Sequence, residues 1–329
     1  MASLLSIGID NYDIELDLGH TFSNLNFVSH AHSDHTNRAR KGKEILASAE
    51  TKELIEARKR IEVSLSEKPL NIELLDSGHI LGSKQLFIDS PEFGYSVVYT
   101  GDYQMQESPT ARKIQINQAD VAIVDSTYTD PEMVLDDRGE VIDTIQYYVK
   151  NKLDRGIVIF GAYSLGKAQE LIRIVNEIGI TPAVSKGISR LNCVYEKFGI
   201  GLDYASVYDS EKRFDALVRE NFVGIVETQR LNELGRKLSA VYNKRVFTAV
   251  ATGWAKSYNF GTDVQFALSD HADFKQSLQY LEATSPKIVY SVGKEAKVMA
   301  NNLSKFGYKA KALTTTKEFS APIPERASV

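Results

Sequence analysis

The chain has 329 residues, 43% of them hydrophobic, which predicts about two domains of roughly 150 residues each around a sizeable core. Lys plus Arg total 39 against 43 Asp plus Glu, a net charge of −4, so no global cationic field draws in polyanions and any nucleic-acid site must be a local patch. A single cysteine, Cys193, excludes an internal disulfide framework, and no apolar run approaches the roughly 18 residues needed to span a bilayer.

Met1 to Tyr12 lacks the basic flank and apolar stretch of a signal peptide, so the expectation is a soluble, cytoplasmic protein without membrane contact. The first strand signal is Leu25 to Val28, which runs into Ser29-His30, and a helical pattern follows from about Ala49 to Arg60. Val97 to Tyr99 runs into Thr100-Gly101-Asp102, and Val121 to Val124 into Asp125-Ser126. Ile157 to Phe160 is another strand, after which Ala168, Leu171, Ile172, Val175 and Ile178 share one helical face. Val264 to Leu268 then leads into Ser269-Asp270-His271, and Ile288 to Tyr290 into Ser291-Val292-Gly293. Five β-branched runs thus end in polar groups, the pattern of an α/β protein whose sheet edge carries chemistry. Residues 129–263 hold their own strand and helix signals and read as a domain inserted into a discontinuous one, 1–128 with 264–313, before a polar tail over 314–329.

Six histidines occur, at positions 20, 30, 32, 35, 79 and 271, and three of them fall in His30-Ala31-His32-Ser33-Asp34-His35. Composition alone yields such a string roughly once in ten thousand trials, a strong signal among short motifs. In an extended or turning loop His30 and His32 project to one side while Asp34 and His35 address a neighbouring point, which suits two adjacent metal positions. Imidazoles with a carboxylate favour Zn²⁺, with Mn²⁺ or Fe²⁺ as alternatives in a mixed site. His79 in Ser77-Gly78-His79 and Asp102 in Gly101-Asp102 each have glycine beside them, which lets backbone approach a crowded centre. His20 matches no motif and reads as structural.

With these residues the chain resembles the metallo-β-lactamase superfamily, and its later segments resemble the β-CASP branch of nucleases, over nearly its whole length. Asp125-Ser126-Thr127-Tyr128 is similar to the branch's motif A, Ser269-Asp270-His271-Ala272-Asp273-Phe274 to motif B, and Thr252-Gly253-Trp254 fits before it. The resemblance implies an αββα sandwich with an inserted α/β β-CASP domain. It implies that His30, His32 and His79 bind a first zinc, that Asp34 and His35 bind a second, and that Asp102 bridges the two. Asp17 would orient a ligand histidine from behind, Asp125 would support the centre, and His271 would face the scissile phosphate as donor or acid. Asp34, Asp102 and His271 are therefore the expected catalytic groups. At motif C a histidine is usual, but Val292 stands there and cannot bind metal, which bears against full occupancy of the second site. That valine resembles the DNA-processing members, whereas the motif B string is closer to RNA-processing ones. The expected function is phosphodiester hydrolysis in nucleic acid, DNA favoured, as an exonuclease in DNA repair, with a DNA ligase or helicase as partner by resemblance alone. An RNA-processing nuclease, a small-molecule hydrolase and a catalytically silent nucleic-acid scaffold are the alternatives.

Gly161 to Ala168 nearly spells a nucleotide-binding P-loop, but Ala168 lacks the hydroxyl that would hold Mg²⁺. A helix N-terminus with a lysine still attracts an anion, so Ser164 and Lys167 are expected to grip a substrate phosphate. Basic clusters at Arg38, Arg40, Lys41 and Lys43, at Arg58 to Arg60, and at Lys186 and Arg190 could extend that track.

Overall fold

A computed structural model describes residues 6–9, 12–17, 25–36, 39–90, 94–206 and 216–313. His20, Arg38 and the 314–329 tail lie outside them. One six-stranded sheet has the order β17 (Ala310–Ala312), β16 (Ile288–Val292), β9 (Val121–Asp125), β8 (Tyr95–Tyr99), β7 (Lys84–Ser90), β6 (Ile72–Asp76). Its first four strands are parallel, while β6, β7 and β8 pair antiparallel. A three-stranded sheet of β1 (Ser6–Ile9), β2 (Tyr12–Leu16) and β3 (Leu25–Phe27) packs on one face.

The two-residue side-chain period explains this layering. Val97 and Tyr99 of β8 and Val121 and Ile123 of β9 join Ile14, Leu16, Leu25 and Phe27 in one apolar layer. Their neighbours Val98, Ala122 and Val124 turn the other way, onto Phe274, Leu281, Met299 and Leu303, which belong to the helices Phe274–Thr284 and Ala296–Lys305. Both faces of β8 and β9 are covered, which is why these strands read as unbroken apolar runs rather than as alternation.

The second six-stranded sheet is parallel throughout, in the order β12 (Ala205–Ser206), β11 (Ala183–Val184), β13 (Val223–Glu227), β10 (Ile157–Ala162), β14 (Val246–Ala251), β15 (Val264–Phe266). The expected return to the first unit at residue 264 is corrected here. Val264–Phe266 pairs with Ala249–Ala251, so the crossing falls after Phe266; a short β-branched run does not reveal which sheet it will join. The helical stripe over 168–178 is likewise shortened. The helix is Lys167–Asn176, and Gly179, at φ +78, turns the chain out while Ile178 still packs on the core.

The two halves share one apolar cluster. Leu54 and Ile55, from the helix Ala49–Lys59, sit with Ile188, Leu191 and Tyr195 from the helix Lys186–Lys197. Unfolding should therefore be a single transition, with far-ultraviolet circular dichroism and tryptophan emission tracing the same melting curve. Leu54→Ala, at a fully buried site, should lower stability by about 2–5 kcal/mol without separating the two probes; separate transitions would contradict the shared core.

Candidate metal centre

Asp17 closes β2 in the left-handed region, at φ +45, and its carboxylate is buried beneath the histidine loop. Its Oδ1 accepts the Ser29 N–H at 2.6 Å, and its Oδ2 accepts the Ser29 hydroxyl at 2.7 Å, the Tyr99 hydroxyl at 2.7 Å and His35 Nδ1–H at 2.9 Å. Burial pushes the Tyr99 phenol well above its ordinary value, and the Asp17 charge adds to that, so Tyr99 stays a donor. One carboxylate thus ties the end of β8 to the start of the loop that follows β3.

The same ties fix which nitrogen of each imidazole carries hydrogen. The Ser29 hydroxyl donates to Asp17, so at 2.9 Å its oxygen accepts His30 Nδ1–H. His32 Nε2–H donates to the Leu165 carbonyl at 3.1 Å, and His79 Nδ1–H to the Asp270 carbonyl at 2.7 Å. Carbonyls only accept, so the remaining nitrogens present lone pairs: His30 Nε2, His32 Nδ1 and His79 Nε2. These converge. His32 Nδ1 is 3.1 Å from His79 Nε2, and Asp102 Oδ2 is 3.4 Å from His30 Nε2 and 3.6 Å from His79 Nε2. His30 Nε2 is buried with no hydrogen-bond partner. A tetrahedral zinc with bonds near 2.05 Å has ligand–ligand edges of about 3.3 Å, so these four residues fit a metal ion, as their mutual spacing within 4.8 Å allows. Burial, reinforced by neighbouring imidazoles, pushes His30 and His79 well below their ordinary range, and burial takes His32 down to about 4. All three are unprotonated in neutral water, as a metal requires.

Around Asp102 lies a second set of donors. His35 Nε2 stands 3.5 Å from Asp102 Oδ1 and 3.8 Å from Asp34 Oδ2, although the Asp34 side chain is 74% exposed. His271 Nε2 is 3.9 Å from Asp102 Oδ2, and its Nδ1 is 3.4 Å from Asp125 Oδ2; Asp102, Asp125 and His271 form a further group spaced for a metal. The family resemblance had implied a link from Asp102 to Asp34 and His35 but not to Asp125 and His271. Burial alone would depress both imidazoles. For His35 the carboxylates of Asp102 and Asp17 outweigh it and carry the ring up to about 10; for His271 those of Asp102 and Asp125 carry it up to about 9. Burial pushes Asp102 up to about 6 against the pull of His35 and His271. Val292, at the end of β16, packs its side chain on the inter-sheet layer, and its carbonyl accepts the Ser126 hydroxyl.

The expected phosphate grip by Lys167 is corrected. Its side chain is only 2% exposed, and Nζ donates to Glu170 at 2.6 Å and Asp270 at 2.7 Å. Two N–H groups at the start of its helix are also taken, Gly166 N–H by Gln169 Oε1 at 2.8 Å and Ala168 N–H by the Tyr163 carbonyl at 3.1 Å. Arg138 completes the group, bonding Glu170 and the Ser269 carbonyl, with Asp270 at 3.5 Å. Burial opposes the Asp270 charge, but Lys167 and Arg138 hold its carboxyl well below the usual range. The near-P-loop therefore serves the metal loop: it supplies the Leu165 carbonyl to His32, and it clamps Asp270, whose carbonyl orients His79. Gly166, at φ +88, makes this possible, because a Cβ there would lie 2.6 Å from Ile80. Leu165, Arg138, Glu170 and Asp270 were not expected in these roles; a backbone carbonyl leaves no mark in the sequence. Ser164 remains at the cleft wall.

The centre opens into a cleft of ≈ 750 Å³ lined from both halves of the chain. No family model matches the sequence. The chain is 32% identical over 303 residues to a "Probable DNA ligase" of Opitutus terrae, covering 87% of this chain and 28% of that protein. It is 27% identical over 175 residues to "5' exonuclease Apollo" of Danio rerio, covering 46% of this chain and 30% of that one. The chain thus spans less than a third of either relative. A crystal structure of a protein of unknown function from Enterococcus faecalis V583 superposes with TM-score 0.60 at 13% identity, covering 89% of this chain and 91% of that one, which supports the fold alone. The chain belongs to the β-CASP branch of the metallo-β-lactamase superfamily. Among the described residues no helix is long and apolar enough to cross a membrane.

Lys167→Met should leave two buried carboxylates to Arg138 alone, lowering stability by on the order of 3–5 kcal/mol and metal affinity by roughly 10–100-fold. Melting and competitive chelation check this, and unchanged metal affinity would refute the orienting role. The metal-free chain should have a domed pH profile. His30, His32 and His79 have folded values below the unfolded 6.5, so the folded state resists protons that the unfolded state takes. Stability is present above about 6.5 and lost as pH falls toward about 4. His35 and His271 have raised values, so their contribution is present below 6.5 and lost as pH climbs through about 9 and 10. Melting temperature against pH in chelator reads both limbs, and a flat acid limb would contradict the burial of unprotonated rings.

Proposed function

We propose that the chain is a metal-dependent nuclease hydrolysing phosphodiester bonds, with DNA favoured and strand ends as its targets. The observation that carries this reading is the convergence of three imidazole lone pairs on Asp102 at the floor of an open cleft. His30, His32, His79 and Asp102 would hold a first zinc ion, and Asp34, His35 and Asp102 a second or a manganese. When bound, such an ion acts as a Lewis acid on the phosphoryl group and lowers the pKa of water from about 15.7 toward about 7.

The chain's own groups complete the chemistry. Asp102 and Asp34 accept hydrogen bonds from the attacking water and aim its oxygen at phosphorus. Asp125 holds the His271 ring from its Nδ1 side. His271 Nε2–H would give its proton to the sugar oxygen as the bond from that oxygen to phosphorus breaks. The Ser164 hydroxyl at the cleft wall contacts a non-bridging oxygen.

DNA is favoured because Val292 stands at motif C and because a relative matching 87% of the chain is named a DNA ligase. A ligase or helicase would then be the natural partner, and the cytoplasm the compartment. RNA is the second reading, favoured by the motif B string Asp270-His271-Ala272-Asp273. End-labelled DNA and RNA incubated with the zinc- or manganese-loaded chain should be shortened, DNA faster. The double variant His32→Ala, Asp34→Ala should abolish cleavage while retaining its circular dichroism, and His271→Ala should slow it roughly 10²–10⁴-fold. Cleavage persisting in the double variant would remove the centre from the reaction.

A further inference from the structure

Two exposed aromatic side chains stand in or beside this cleft. Tyr163 is 63% exposed and Tyr258 61%. Tyr163 lines the cleft beside Ser164, on the turn after β10. Trp254 lines the cleft from the turn after β14, the strand paired with β10, and Tyr258 begins a run of rings that passes through it toward the centre. Its ring centroid is 5.7 Å from that of Trp254, Trp254 is 4.8 Å from Tyr128, and Tyr128 meets His271 edge-on at 6.2 Å. Exposure falls along the run, from Tyr258 through half-buried Trp254 to buried Tyr128. Gly253 sets its spacing: a Cβ there would lie 2.0 Å from the Tyr128 hydroxyl, so no other residue lets Trp254 lie so close over Tyr128.

The charges that line the cleft point the same way. Among the described residues, the lysines and arginines lining the cleft are Arg58, Lys167 and Lys294, against Asp34, Asp102, Asp125 and Asp270. Lys167 is bound by Glu170 and Asp270, and Arg58 donates to the Thr36 hydroxyl at 2.6 Å. Lys256, close to the aromatic run, pairs with Asp136 at 2.6 Å. A duplex is held chiefly by cations along its phosphates, and this cleft has too few. An unpaired strand also offers its base faces, and base–aromatic stacking is strong and tolerant of sequence.

We infer that Tyr258, Trp254 and Tyr163 form a stacking site for the unpaired bases of a single strand whose phosphate enters the metal centre. This rests on the nuclease reading and narrows its substrate to single-stranded nucleic acid. Trp254 is the only tryptophan in the chain, so its emission reports the site directly. The zinc-loaded full chain is titrated with a cleavage-resistant phosphorothioate oligodeoxyadenylate, with an abasic strand of the same linkage, and with the matching duplex. Saturable quenching by the base-bearing strand alone is expected. Tyr163→Ala and Tyr258→Ala should each weaken that strand's binding by roughly five-fold to a hundred-fold, with Tyr163→Phe restoring it. Equal quenching by the abasic strand or the duplex, no quenching at all, or unchanged affinity in both alanine variants would overturn the inference. Hydrolysis of bis(p-nitrophenyl) phosphate by the wild-type chain is read separately. Its absence would remove the nuclease reading, while the quenching result would still decide the stacking site.

Discussion

Three lone pairs that face one another at the floor of the cleft repel, and the rest of the structure is arranged around that repulsion. His30 Nε2, His32 Nδ1 and His79 Nε2 cannot bond among themselves, because each ring has already given its hydrogen to Ser29, Leu165 or Asp270. Protonation would relieve the repulsion only by placing positive charges side by side away from water, which burial opposes. A single divalent cation satisfies all three nitrogens and the Asp102 carboxylate at once. The backbone and hydroxyl acceptors behind the rings thus do more than hold them still: they choose the tautomer that leaves a coordination site.

Those acceptors come from both halves of the chain. Asp17 and Ser29 serve His30 and His35 from the first unit, whereas His32 leans on Leu165 of the insert. His79 leans on Asp270, just past the crossing between sheets, and Asp270 is clamped by Lys167 and Arg138 of the insert. The buried Arg138, Glu170, Lys167 and Asp270 group carries two cations against two carboxylates, so its charges balance where an unpaired one would be costly. Docking of the insert and assembly of the metal site are therefore one event.

Much of this was legible in the sequence because the ligands cluster. The hexapeptide 30–35 marked its own chemistry, and the apolar runs before Ser29, Asp102, Asp125, Ser269 and Val292 are all strands or lead directly from them. The helix over 49–59 also lies where its periodicity put it. What escaped notice follows from the limits of side-chain patterns. Leu165 acts through its carbonyl, and Arg138 is a lone arginine whose partners sit 32 and 132 positions away. Lys167 was misjudged because a P-loop-like string suggests an exposed cation, while two acids distant from it or one turn on, Asp270 and Glu170, draw it inward. Val264–Phe266 looked like any β-branched strand, and register with Ala249–Ala251 is a tertiary fact.

Both six-stranded sheets are parallel where it matters, and parallel strands deliver their carboxyl ends to a common edge. Asp102, Asp125 and Val292 mark the ends of β8, β9 and β16, while Tyr163, Trp254 and His271 follow β10, β14 and β15. The cleft is lined by these six and their neighbours, so it is the place where two such edges face each other. The two edges contribute differently: the first carries Asp102 and Asp125, and the second carries the rings of Tyr163 and Trp254 and the Leu165 and Asp270 carbonyls that orient His32 and His79. Neither edge alone makes a site.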